Sequence, residues 1–300
     1  MAGPLRVEHD VEVARWVQQG LSATATVAAS IPPIFDAYAR ILHPATRGVP
    51  TGETDAWGNP QLATHGITWA EAAALIGDRG GEPHPFTAWS ARFGDQQIAM
   101  PDGGWIDEPH QGDIPLPLLT ALAELLVDEH GDAEVLAAVW EGSGLDPRGT
   151  AYAFLWPDDD ALAPAERRVR EVEMQAEARA AERASVDPEV TEAMRRGHAI
   201  GLPRDGQGRE HVLLRARLGA MLDATWVEHA GLGCMRDWPH SARTPNLLWP
   251  AEPHGAPAWM VATDLDLDVT LVAGSAGLIA RVLGHPSFEA ERVSSTDPLV

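Results

Sequence analysis

The stretch TPNLLWPAEPHGAPAWMVATDLDLDVTLVAGS, from Thr244 to Ser275, constrains the fold more than any other part of the chain. The apolar block WMVAT, preceded by Gly255 and Pro257, predicts a buried strand over 258–263. Asp264, Asp266 and Asp268 alternate with Leu265, Leu267 and Val269. If the strand continues, three carboxylates share one face and three apolar side chains the other, because side chains two apart point the same way. After Gly274 the period changes, and Ser275 is placed to cap a helix running to Leu283.

A strand of this kind needs partners, and the chain predicts several. Residues 134–141 (EVLAAVWE) and 150–156 (TAYAFLW) read as strands, as do the alternating residues 211–218 and the closing 288–293. Thr68 and Glu71 form a capping box for a short helix that Gly77 ends. Residues 116–129 carry leucines at helical spacing and stop at Gly131. Pro164 opens a long helix to about residue 184, with Asp158, Asp159 and Asp160 at its positive end. Its apolar side holds only alanine and valine, and Glu166–Arg170 and Arg167–Glu171 have ion-pair spacing, so it reads as a solvated helix. Asp187 caps a further helix that starts at Pro188 and ends at Gly197. Residues 35–42 fit strand or helix, 46–66 read as a turn-rich loop, and 78–111 as a long irregular excursion with small elements. The fold class expected is α+β, with mixed sheets and packed helices in two halves joined by the long charged helix. The boundaries are an N-terminal half at 1–157, a charged helical insertion at 158–208 and a C-terminal half at 209–300.

Charge narrows the function. The chain has 22 basic residues, all arginine, against 44 acidic ones, a net charge of −22. Such a surface repels phosphate backbones and anionic headgroups, which excludes nucleic acid and membrane as expected partners. The one cysteine, Cys234, gives no intrachain disulfide. Glu8, Asp10 and Glu12 stand where a secretory signal needs a basic start, and the uncharged run 269–280 is too short to span a bilayer. The expected location is the cytoplasm.

The segments FDAYARILHPA (Phe35–Ala45), VWEGSG (Val139–Gly144), PNLLWPAE (Pro245–Glu252) and WMVATDLDLDVTLVAGS (Trp259–Ser275) resemble recurrent blocks in a group of uncharacterised proteins of high-GC Gram-positive bacteria. The resemblance implies a cytoplasmic bacterial protein and brings no catalytic residue with it.

Three constellations bear on chemistry. Asp264, Asp266 and Asp268 are the best metal candidate, and oxygen-rich sets favour divalent Mg²⁺, Mn²⁺ or Ca²⁺. Carboxylates on one strand face lie ~6.6–7 Å apart, so sharing a cation requires a bend or help from other loops. A calcium loop is excluded, because Val269 and Ser275 occupy its glycine and glutamate positions. Gly274-Ser275-Ala276-Gly277 lacks the glycines and lysine of phosphate-binding loops, and Cys234 near His229 and His240 lacks a usual zinc spacing. Six histidines adjoin a proline, which places them in turns. Eleven tryptophans are the remaining oddity, and Trp89, Trp105 and Trp238 fall in Gly/Pro-rich segments where an aromatic suits a partner surface or, equally, caps the core beneath the loop. The leading reading is a non-catalytic binding or regulatory protein that recognises a basic or neutral protein surface through these three tryptophans. The alternative is a metal-dependent hydrolase using the aspartate row with loop histidines and a divalent cation.

Overall fold

The computed structural model describes residues 4–54, 58, 60–80, 87–94, 97–142, 145, 164–204, 207–233, 243–251 and 257–299. In chain order the strands are β1 (Arg6–Val7), β2 (Ala37–Leu42), β3 (Ala45–Thr54), β4 (Pro60–Ile67), β5 (Gln97–Ala99), β6 (Trp105–Asp107), β7 (Glu134–Trp140), β8 (Ala199–Arg204), β9 (Gln207–Arg217), β10 (Leu247–Pro250), β11 (Met260–Ala262), β12 (Val269–Gly274) and β13 (Ala290–Val293). The helices are α1 (Arg15–Gly20), α2 (Trp69–Ile76), α3 (Ala88–Phe93), α4 (Leu116–His130), α5 (Pro164–Ser185), α6 (Pro188–Arg195) and α7 (Ala276–Leu283). Short 3₁₀ turns cover Val11–Ala14, Val27–Ala29, Leu218–Leu222 and Trp226–Glu228.

The strands form two antiparallel sheets, a mixed α+β architecture. The larger sheet runs β1-β9-β7-β10-β11-β12-β2-β13, with β8 also paired to β9, and the smaller runs β4-β3-β6-β5. Strands from the two ends of the chain are interleaved within the larger sheet: β7 lies between β9 and β10, and β2 between β12 and β13. Adjacent antiparallel strands do not need to be close in sequence, and β7 pairs with both β9 and β10. Helix α5 is present over the expected residues, with Val169 and Val172 at 60% and 63% exposure.

Both faces of the larger sheet are covered. On β7, Val135, Ala137 and Val139 face one core with α4, α6 and α7, while Leu136 and Ala138 face the other with Ala14, Val17, Val27 and Ile31. That is why the strand is apolar from Val135 to Trp140 instead of alternating. A third core lies between the smaller sheet and helices α2 and α3, built from Ala45, Ile67, Trp69, Trp89, Phe93, Ile98 and Ile106.

Several elements stand where local chemistry placed them. Thr68 and Glu71 form the capping box of α2, Asp187 caps α6 and Ser275 caps α7. The turn-rich 46–66 is instead the β3–β4 hairpin, in which Gly52 takes a φ of 83° beside a register irregularity between Pro50 and Thr54. Residues 78–111 hold α3, β5 and β6. The strand expected over 150–156 lies outside the described residues.

Candidate functional site

The aspartate row is broken by a turn. β11 stops at Ala262 and β12 pairs back on it, Met260 opposite Ala273 and Ala262 opposite Leu271. Leu267 N–H donates to the carbonyl of Asp264 at 2.9 Å, so alternation along an extended strand does not apply. Asp264 and Asp266 both turn to Arg209 on β9, at 3.2 Å to Nη1 and 2.8 Å to Nη2. The same guanidinium lies 5.8 Å from the centroid of Trp140. Asp268 is buried elsewhere, where Oδ1 accepts from Ala88 N–H at 3.1 Å and Oδ2 from Trp89 N–H at 2.8 Å. Burial raises its pKa, and the two backbone donors oppose the rise. The three carboxylates are therefore not brought together. Among the described residues no group of three His, Cys, Asp or Glu side chains could hold a metal ion.

The tryptophans divide. Trp89 is the second residue of α3 and has no exposed surface. Its ring meets Trp69 edge-on at 5.4 Å between centroids and Phe93 at 4.2 Å. A short helix laid over the smaller sheet buries it, so it is a core residue and not a surface anchor. Trp238 lies outside the described residues, as does Cys234.

Trp105 sits on β6, half-buried, opposite Gly48 of β3 and Ala99 of β5. A Cβ at Gly48 would meet the indole Cε2 at 2.6 Å, so the ring lies directly over that glycine. Ile106, Ile98 and Arg47 are cross-strand neighbours on the face toward the third core. Trp105, Asp107 and Gln97 are therefore on the outward face, where Gln97 Nε2 donates to Asp107 Oδ1 at 2.7 Å. The β5–β6 turn fixes this arrangement. Gly103 has a φ of 84°, Asp102 accepts from Gly104 N–H, and Arg47 pairs with Asp102 from beneath. Gly104 N–H, ahead of the Arg47 charge, holds the Asp102 carboxyl below its usual range.

Next to this face is an open sheet edge. β4 ends the strand order and pairs only with β3 among the described residues. Six of its eight residues are exposed, and between Gln61 and Gly66 the one ionisable side chain is His65.

A second region lies on the larger sheet. Ser30, Arg209, His211, Asn246, Thr263 and Asp264 line a cavity of about 30 Å³. His211 Nδ1 donates to the Arg209 carbonyl at 3.0 Å, which leaves the lone pair on Nε2. Burial pushes its pKa down to about 4, so the ring is neutral at pH 7. Serine, histidine and aspartate share this cavity without forming a nucleophilic triad. Ser30 Oγ has no hydrogen-bond partner among the described residues, and the imidazole is oriented by a carbonyl and not by Asp264.

Behind it runs a directed chain of hydrogen bonds. His43 Nδ1 donates to the His110 carbonyl at 2.8 Å, so Nε2 accepts from Thr270 Oγ1 at 2.8 Å. Thr270 in turn accepts from Thr263 Oγ1 at 2.7 Å. His43 is fully buried, with its pKa pushed down to about 4, and its carbonyl accepts from Trp69 Nε1. The His-Pro turn read from the sequence is thus an internal junction between the two sheets. Trp16 and Trp249, which the sequence reading did not single out, meet edge-on at 6.0 Å in a larger depression of about 430 Å³. Arg215 on its floor is held by Glu8 and Glu134, each at 2.8 Å.

No helix among the described residues is long and apolar enough to cross a membrane. No protein-family model, curated protein or solved structure matches the chain.

Proposed function

We propose that the protein is a non-catalytic binding protein that recognises an extended segment of a protein partner through the smaller sheet. The observation that carries this is the half-buried Trp105, lying on the outward face of a sheet whose neighbouring edge, β4, is exposed and almost uncharged. Unpaired strand edges accept an added strand by main-chain hydrogen bonds, and side-chain pockets on the sheet select the sequence. Aromatic anchors concentrate the binding energy of such contacts. Natural edges are commonly protected by charge, and here only Pro60 and His65 interrupt the strand. The net charge of −22 selects a basic or neutral segment and repels an acidic one.

The catalytic alternative has less support. Two of the three carboxylates are committed to Arg209 and the third to the start of α3. The test is selection of random displayed peptides on the immobilised chain, with elution by competition and counter-selection on Trp105→Ala. The reading predicts enriched extended peptides rich in β-branched and basic residues, whose binding falls at least tenfold in the variant. Equal binding to Trp105→Ala, or enrichment of acidic peptides, contradicts it.

A further inference from the structure

The cavity beside His211 is chemically one-sided. Its side-chain nitrogen donors are already used. Arg209 is committed to Asp264 and Asp266, and Asn246 Nδ2 to the carbonyls of Gly112 at 2.9 Å and Thr263 at 3.3 Å. Asn246 Oδ1 is also filled, accepting from Trp140 N–H at 2.8 Å. Two groups remain open. The Nε2 lone pair of His211 follows from the proton on Nδ1. Ser30 is 5% exposed, yet its hydroxyl has no hydrogen-bond partner among the described residues, although buried hydroxyls are ordinarily satisfied. The anionic Asp264 stands on the same wall, and Leu21, Leu202, Leu247 and Leu265 supply apolar surface around it. The volume of about 30 Å³ exceeds the ~10–15 Å³ that one water-sized group requires. It suits a compact tetrahedral head with several N–H donors better than a planar guanidinium.

From this geometry we infer that the cavity is a binding site for a primary ammonium group on an aliphatic chain, received by His211, Ser30 and Asp264. The ammonium donates to His211 Nε2 and Ser30 Oγ, Asp264 supplies the opposite charge, and the leucines cover the methylenes. A neutral imidazole is required for this, and burial keeps His211 unprotonated. The site is separate from the smaller-sheet surface and does not depend on the reading given for it.

The experiment is calorimetric titration of the full chain with n-pentylammonium, with 1-pentanol and pentanoate as neutral and anionic controls of the same length. Nα-acetyl-lysine methylamide is included to distinguish a free amine from a lysine side chain. The chain should bind pentylammonium or the lysine derivative at millimolar concentration and pentanoate not at all. The tighter of the two cations identifies the source. Asp264→Asn should weaken binding about tenfold and Ser30→Ala roughly fivefold, the scale of one or two lost polar contacts. Ser30→Ala removes an unsatisfied buried hydroxyl, so its melting temperature should be unchanged or higher while amine binding falls. That combination is not produced by misfolding. Absence of amine binding, pentanol binding as tightly as pentylammonium, or Ser30→Ala retaining full affinity would overturn the assignment and leave the cavity a hydration site.

Discussion

Asp268 holds the start of the helix that carries Trp89: its two carboxylate oxygens accept from the backbone N–H groups of Ala88 and Trp89, at 3.1 and 2.8 Å. Glu289 does the same for α2, accepting from Trp69 N–H at 2.6 Å and Ala70 N–H at 3.0 Å. Two carboxylates from the C-terminal part of the chain thus dock both helices that back the smaller sheet. The effect is local, since each satisfies donors that a helix start leaves open.

Asp268→Ala is expected to destabilise the protein by roughly 1–3 kcal/mol, because two buried backbone donors lose their acceptor. Asp268→Asn keeps one acceptor oxygen and should lose less. Chemical denaturation measures both. A neutral Asp268→Ala would mean that the small-sheet layer is held by apolar packing alone.

The two buried histidines set an acid limit. His43 and His211 each have a folded pKa of about 4, below the ordinary value of 6.5, because burial disfavours the imidazolium. The unfolded chain therefore takes up these protons first as pH falls. Their contribution is fully present above about pH 6.5 and is lost progressively down to about pH 4. Each amounts to ~3 kcal/mol across that window, since one pKa unit corresponds to 1.36 kcal/mol. Urea midpoints measured from pH 7.5 to 4.5 should fall steeply, and His211→Gln should remove about half of the slope. A flat profile in the wild type would contradict the neutral, buried assignment.

Helix α5 exposes Val169 and Val172 at 60% and 63%, so replacing both with lysine should change stability by less than about 0.5 kcal/mol per site. A drop of several degrees in melting temperature would show that the helix packs on something through those side chains.

The sequence was most legible where local chemistry acts alone. Thr68–Glu71, Asp187 and Ser275 mark their helix starts without reference to the rest of the fold, and the leucines of 116–129 mark the buried side of α4. What failed was inference from period across a turn. The alternation of Asp264, Asp266 and Asp268 is equally compatible with a strand face and with the turn that occurs, and only the pairing of β12 with β11 decides. The β5–β6 hairpin was readable in principle. Pro101-Asp102-Gly103 is a turn signal between Gln97–Ala99 and Trp105–Asp107, but three-residue strands carry too little periodicity to stand out. The cavity wall draws on Ser30, Arg209, Asn246 and Asp264, far apart in sequence, and nothing local joins them. Trp105 kept its exposure and Trp89 lost it through one difference, that between an outward sheet face and a helix laid over the inward one.

Gly48 controls the Trp105 surface. A methyl group there would collide with the indole, so Gly48→Ala should tilt the ring outward at a stability loss of roughly 1–3 kcal/mol. Tryptophan emission should shift to longer wavelength, and affinity for a selected peptide should fall with it. An unchanged spectrum and unchanged affinity would place the binding surface elsewhere.

The most direct measurement of the proposed function is backbone hydrogen exchange of the full chain with and without a selected peptide. Strand addition at β4 predicts slowed exchange concentrated in 60–67, with a smaller effect in 97–107 around Trp105, and no such protection in Trp105→Ala. Protection confined to other segments, with 60–67 exchanging at its free rate in the complex, would contradict recognition through the smaller sheet.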